Sequence, residues 1–178
     1  MRTLVLGMGN PILSDDAVGI RLARDMRAFV EEASRGPSPA DPDTVPAVDF
    51  IEDCSVGGLN LLDLVIGYDQ LVVFDSIRTP GETPGTWHAM TGATFRETMN
   101  LGCVHDANFT TALELGRQMG AHLPTPEDVH IFAVEISDNT TFSESMTPEL
   151  EAAYAGFAPE IMRQALILVR SSSSHGPA

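Results

Sequence analysis

Three segments of this sequence carry side chains whose types and spacing can do chemistry. The first is Gly7-Met8-Gly9-Asn10-Pro11, followed by Asp15-Asp16. The third glycine of a dinucleotide fingerprint would fall at position 12, which is Ile, and a Walker loop needs a Lys that this chain lacks. The plain reading is a tight turn from strand to helix, with the acids at the helix start. One cap needs one acceptor, yet Ser14, Asp15 and Asp16 supply three in a row. The second segment holds Asp63, four residues after Leu59, on or beside the apolar stripe of its helix. A carboxylate there costs energy unless it is paired, bound to a cation, or turned to water at a boundary position. The third is Cys103-Val104-His105-Asp106, just before a helix. Histidine is a common metal ligand and general base, although a loop His beside a capping Asp106 is the simpler alternative. His88 and His130 have strand-like surroundings, His122 follows a helix end, and His175 is in the tail; their claims are weaker.

Together, Asp16, Asp63 and His105 make an O/O/N ligand set. Such a set suits zinc, nickel or iron with open positions for exchange. It requires a fold that gathers three residues distant in sequence. No His-Glu-x-x-His helix and no Gly-x-Ser-x-Gly elbow is present, so neither a zincin nor an α/β-hydrolase site is indicated.

The elements that must position these residues are legible from apolar spacing. Thr3 to Leu6 reads as a buried parallel strand ending at Gly7. A helix from about Asp15 to Glu32 follows, with Val18, Leu22, Met26, Phe29 and Val30 on one face and Ser14 or Asp15 as its cap. Ser34 to Pro46 holds four prolines and reads as a mobile loop. Ala47 to Glu52 is a second strand ending at Asp53, and Leu59 to Ile66 a helix. Gln70 to Phe74 is the most apolar strand, ending at Asp75; Thr86 to Met90 is an edge strand. Ala107 to Met119 is a helix with Phe109, Leu113 and Gly116 on one face and Gly120 at its end. Val129 to Ile136 is another strand. Thr147-Pro148 opens a last helix with the stripe Leu150, Tyr154, Phe157, Ile161, Ala165, Leu168, which Gly156 and Pro159 should break or kink.

This alternation predicts an α/β fold: a three-layer sandwich with a mostly parallel, twisted sheet of about five strands and helices on both faces. One domain over residues 1–170 fits the length of 178, with 171–178 a disordered tail. Ligands of such sheets bind beyond the carboxyl ends of the strands.

Composition narrows the partners. Acidic residues number 25 against ten basic ones, a formal charge of −15, and all ten are Arg. Binding to nucleic acid or to an anionic membrane needs basic clusters, so neither is expected. No apolar run approaches the ~20 residues of a membrane span, and the N-terminus lacks the pattern of a signal peptide. Cys54 and Cys103 match no zinc or redox spacing, which makes a reducing cytoplasmic setting the expectation.

At this point the sequence resembles a known family, the hydrogenase maturation endopeptidases. The resemblance rests first on Leu4-Val5-Leu6-Gly7-Met8-Gly9-Asn10, a short spacer, and Asp15-Asp16 before a helix. It extends to Asp53 through Gly58 with Asp63 on the following helix, to Val72-Val73-Phe74-Asp75, to Asn100–Asn108 around His105, and to the last strand and Phe142–Glu149. The resemblance implies removal of a C-terminal extension from the large-subunit precursor of a nickel–iron hydrogenase after nickel insertion. It implies no permanently bound metal: Asp16, Asp63 and His105 would contact the precursor's nickel, supported by Asn10 and Asp75. The attacking group is not identified by it; water is the expectation. Cys103 beside His105 also permits a thiolate nucleophile, although a small buried thiol is the commoner role. Three rival readings remain. A peptidyl-tRNA hydrolase-like enzyme shares the Gly-x-Gly-Asn-Pro opening, but Asp15-Asp16 occupies the region where that family has its His. A non-proteolytic, metal-dependent maturation chaperone would use the same ligands. A free-standing metallohydrolase would hold its own metal.

Overall fold

A computed structural model describes residues 1–34, 48–56, 58–94 and 107–171. The proline-rich segment after Ser34, the Cys103–Asp106 segment with His105, and the tail from residue 172 with His175 lie outside the described residues.

Five strands form one sheet: β1 (Thr3–Met8), β2 (Val48–Cys54), β3 (Gln70–Ile77), β4 (Trp87–Thr91) and β5 (Val129–Glu135), in the order β2-β1-β3-β5-β4. The first three and β5 run parallel, and β4 pairs antiparallel with β5 at the edge. The helices are α1 (Val18–Ser34), α2 (Leu62–Val65), α3 (Ala107–Gln118) and α4 (Pro148–Ser171). Short 3-10 turns at Ser14–Ala17 and Gly58–Leu61 lead into α1 and α2.

The central strands are apolar on both faces because both faces are covered. Successive side chains alternate between two cores, as the two-residue period demands. Val5, Val72, Phe74, Phe132 and Val134 pack with Leu22 and Met26 of α1 and with Leu150, Ile161 and Ala165 of α4. Leu4, Leu6, Leu71, Val73, Ile131 and Ala133 point the other way, into a core completed by Leu61, Val65 of α2, and Leu113 of α3. Thus α1 and α4 cover one face and α2 and α3 the other.

Two glycines let α1 lie close to the sheet. A Cβ at Gly7 would stand 2.5 Å from the Glu52 carbonyl oxygen, and one at Gly19 would stand 2.4 Å from that of Met8.

Three local expectations are corrected. The turn before α1 has no side-chain cap: its N-cap position is Leu13, and neither Ser14 nor Asp15 caps it. Asp15 is instead fully buried and bonded to a distant loop, which takes it away from the helix end. The helix predicted over Leu59–Ile66 is a 3-10 turn followed by one short α segment. Finally, α4 runs through Gly156 and Pro159 without a break. Pro159 and Ala155, whose carbonyl loses its helical donor, both face solvent, so water can satisfy that carbonyl. The stripe Leu150, Tyr154, Phe157, Ile161 and Ala165 on the opposite side is buried and holds the helix to the sheet.

Candidate functional site

From β1 the chain moves to β2 on one side, then crosses over α2 to β3 on the other side of β1. The carboxyl ends of β1 and β3 therefore frame a topological switch point, where open α/β sheets bind ligands. Asp16 stands there. Its Oδ2 accepts a hydrogen bond from the Asn10 amide at 2.8 Å, and its Oδ1 accepts one from the Ser76 hydroxyl at 2.6 Å. One carboxylate thus ties the β1 turn to the end of β3. Each oxygen keeps acceptor capacity for a further donor or a cation.

Backbone geometry brings Asp16 this close. Gly9 has φ +138°, and a Cβ on it would lie 1.9 Å from the Asp16 carbonyl oxygen. The Gly9 amide also donates to the Cys54 carbonyl at 3.4 Å, which draws the end of β2 over the turn. Ser14 is buried in the left-handed region at φ 49°, a conformation that costs a non-glycine residue energy and recurs at functional sites. The Asn10 side chain accepts from the Ile12 amide at 3.2 Å and shapes the same turn.

Asp15 does different work. Its buried carboxylate accepts five hydrogen bonds: from the amide and hydroxyl of Ser137, the Asp138 amide, and the amide and hydroxyl of Thr147. The shortest is 2.7 Å, from the Thr147 amide. These contacts staple the β1 turn to the 137–147 loop. The adjacent acids have thus divided: one is a buried structural anchor and the other is partly exposed at the switch point.

Asp75 follows Phe74 on β3, and its Oδ1 accepts from the Ser76 amide at 2.8 Å. Burial pushes the Cys54 thiol up, with the charges of Asp75 and Asp53 adding to the effect. A buried thiol held protonated is a poor nucleophile. Asp63 is exposed, in the first turn of α2. The spacing from Leu59 is right, but Leu59 is itself 60% exposed; the buried stripe is Leu61 and Val65, so residue 63 faces outward. Among the described residues no three of His, Cys, Asp and Glu are grouped as metal ligands.

The other histidines have local roles. His88 Nε2 lies 3.3 Å from the buried carboxylate of Glu135, and His122 Nε2 lies 2.8 Å from Asp69. Burial lowers the pKa of His130 and favours its neutral form. Sequence reasoning missed Ser76 and the Ser137–Thr147 contacts of Asp15. A hydroxyl directly after a strand-ending Asp was a usable signal for Ser76; nothing local marked the others.

No family model matches the chain. The Hydrogenase 2 maturation protease of Escherichia coli strain K12 is 34% identical over 88 residues, a match spanning 48% of this chain and 44% of that protein. The structure is similar to the hydrogenase maturating endopeptidase HybD from E. coli, with TM-score 0.69 and 25% identity, covering 97% of this chain and 94% of that one. This chain is similar in sequence and in fold to hydrogenase maturation endopeptidases. Its mostly parallel five-stranded sheet with helices on both faces is the fold they share. The [NiFe] hydrogenase maturation protease HybD from Thermococcus kodakarensis has the same fold at TM-score 0.67 and 17% identity, over 95% of this chain and 99% of that one. No helix among the described residues is long and apolar enough to cross a membrane.

Proposed function

We propose that this chain is an endopeptidase that removes the C-terminal extension of a nickel–iron hydrogenase large-subunit precursor after nickel insertion, in the cytoplasm. The observation that carries this reading is the carboxylate of Asp16, held at the switch point by Asn10 and Ser76, in a fold shared with a hydrogenase maturating endopeptidase over nearly the whole chain. Asp16, Asp63 and His105 are the residues proposed to contact the precursor's nickel, with Asn10 and Asp75 in support. The nickel arrives with the substrate, and the enzyme needs no metal of its own. Contact with it aligns only the loaded precursor, and the metal can polarise the scissile carbonyl for attack by water. An exposed Asp63 in the first turn of a short helix suits transient contact with a docking partner.

The test is a cleavage assay on the precursor, nickel-loaded and nickel-free, read by intact mass. Wild type should shorten the loaded precursor alone. Asp16→Asn and His105→Ala should leave it uncut while keeping wild-type circular dichroism. Full activity in both variants would remove the triad from the mechanism. Binding by wild type without any cleavage would favour the chaperone reading.

A further inference from the structure

The 137–147 loop stapled by Asp15 and the β1 turn beside it each carry a large apolar side chain open to solvent. Phe142 is 81% exposed and Ile12 is 47% exposed. They sit side by side by backbone pairing. Ser143 donates its amide to the Ile12 carbonyl at 3.0 Å, Ser14 donates its amide to the Ser143 carbonyl at 2.9 Å, and Leu13 and Ser143 form a parallel bridge. That register sets Ile12 opposite Phe142.

The loop that presents Phe142 is internally braced. The Asp138 carboxylate accepts from the amides of Thr140 and Thr141 and from the Thr140 hydroxyl. The Ser143 hydroxyl accepts from the Ser145 amide and donates to the Ser145 carbonyl. An exposed aromatic on a braced loop loses little freedom when a partner covers it, which is the property of an interface anchor.

The position of the pair identifies what covers it. The Ile12 amide donates to the Asn10 side chain, and the Asn10 amide donates to the Asp16 carboxylate. The apolar pair is thus linked to the candidate site through the turn that holds Asp16. The 137–151 segment carries Asp138, Glu144, Glu149 and Glu151 and no Arg, and of these Glu151 is paired with Arg21 of α1.

We infer that Ile12 and Phe142 dock an extended segment of the precursor polypeptide beside its scissile bond, through a large apolar side chain with a basic residue next to it. The inference rests on the reading of Asp16 as the site of cleavage. Both side chains are exposed, so truncating them leaves the cores intact.

The experiment measures binding and cleavage of the nickel-loaded large-subunit precursor in parallel. Phe142→Ala should raise Kd and KM about tenfold, and Ile12→Ala should raise them less, with the loss falling on KM rather than kcat. Met119→Ala, 77% exposed beyond the end of α3, serves as the control and should match wild type within about twofold. Affinity should fall as salt rises, because the flanking attraction is screened. Wild-type affinity in both Phe142→Ala and Ile12→Ala would overturn the inference, as would an equal loss in Met119→Ala. Affinity that rises with salt would overturn the basic flank. If wild type binds but does not cut, the peptidase reading fails while the Kd ratios still judge the docking surface. If wild type neither binds nor cuts, both fall.

Discussion

Gly9 and Asp16 constrain each other. The space next to Gly9 is filled by the Asp16 backbone, and the Asp16 side chain reaches back to the turn that Gly9 begins. A ligand carboxylate must be oriented before its partner arrives, and hydrogen-bonding partners do that work in metal sites. In the role proposed for Asp16, Ser76 would be such a partner, at 2.6 Å. Ser76→Ala should slow processing of the loaded precursor by about tenfold and lower stability by only ~1 kcal/mol. Ser76→Thr keeps the hydroxyl and should recover most of the rate. Single-turnover cleavage together with urea unfolding checks both. A rate that Ser76→Thr fails to recover would make Ser76 merely structural.

Among the elements, α4 shows how tertiary packing overrides a local rule. Proline in a helix interior removes one hydrogen bond and crowds the preceding turn. Pro159 does so on the solvent face, while the buried stripe from Leu150 to Ala165 anchors the other side. Pro159→Ala should therefore stabilise the protein by about 1–3 kcal/mol, seen as a higher urea midpoint with an unchanged slope. No gain would mean that the proline's effect on the unfolded chain cancels its cost in the helix. α4 is also fastened to α1 by polar contacts. Arg21 stacks 3.9 Å over the Tyr154 ring and pairs with Glu151, while the Tyr154 hydroxyl donates to Asp25 at 2.7 Å.

At the scale of the whole molecule that fastening makes stability depend on alkaline pH. Burial, with the Asp25 carboxylate adding to it, raises the pKa of Tyr154 far above its ordinary value of 10.0. The unfolded chain ionises this tyrosine first. The stabilisation is complete below pH about 10 and is lost as pH rises above it, at up to ~1.4 kcal/mol per pH unit. Thermal unfolding from about pH 9 to pH 11 should fall more steeply for wild type than for Tyr154→Phe. Tyr68 also titrates upward in the folded state but is present in both proteins, so the difference isolates Tyr154. Equal slopes would mean that residue 154 ionises in the folded protein.

Apolar spacing determined the layers. The alternating runs of β1, β3 and β5 and the stripe of α4 are consequences of the periods of strand and helix, and they are visible without coordinates. The Gly7–Asp16 motif likewise announced a turn that places a carboxylate beyond the first strand. The division of labour between Asp15 and Asp16 was not legible, because Asp15 is held by Ser137, Asp138 and Thr147, more than a hundred residues away. The aspect of Asp63 stays open in the sequence because periodicity tells which residues share a face, not which face is buried. Leu59 looked like core and is exposed. Pro159 reads as a break or kink because propensity is local, whereas the packing that carries α4 through it is not. Long-range contacts decide which member of a repeated residue type is buried, and only the tertiary structure contains them.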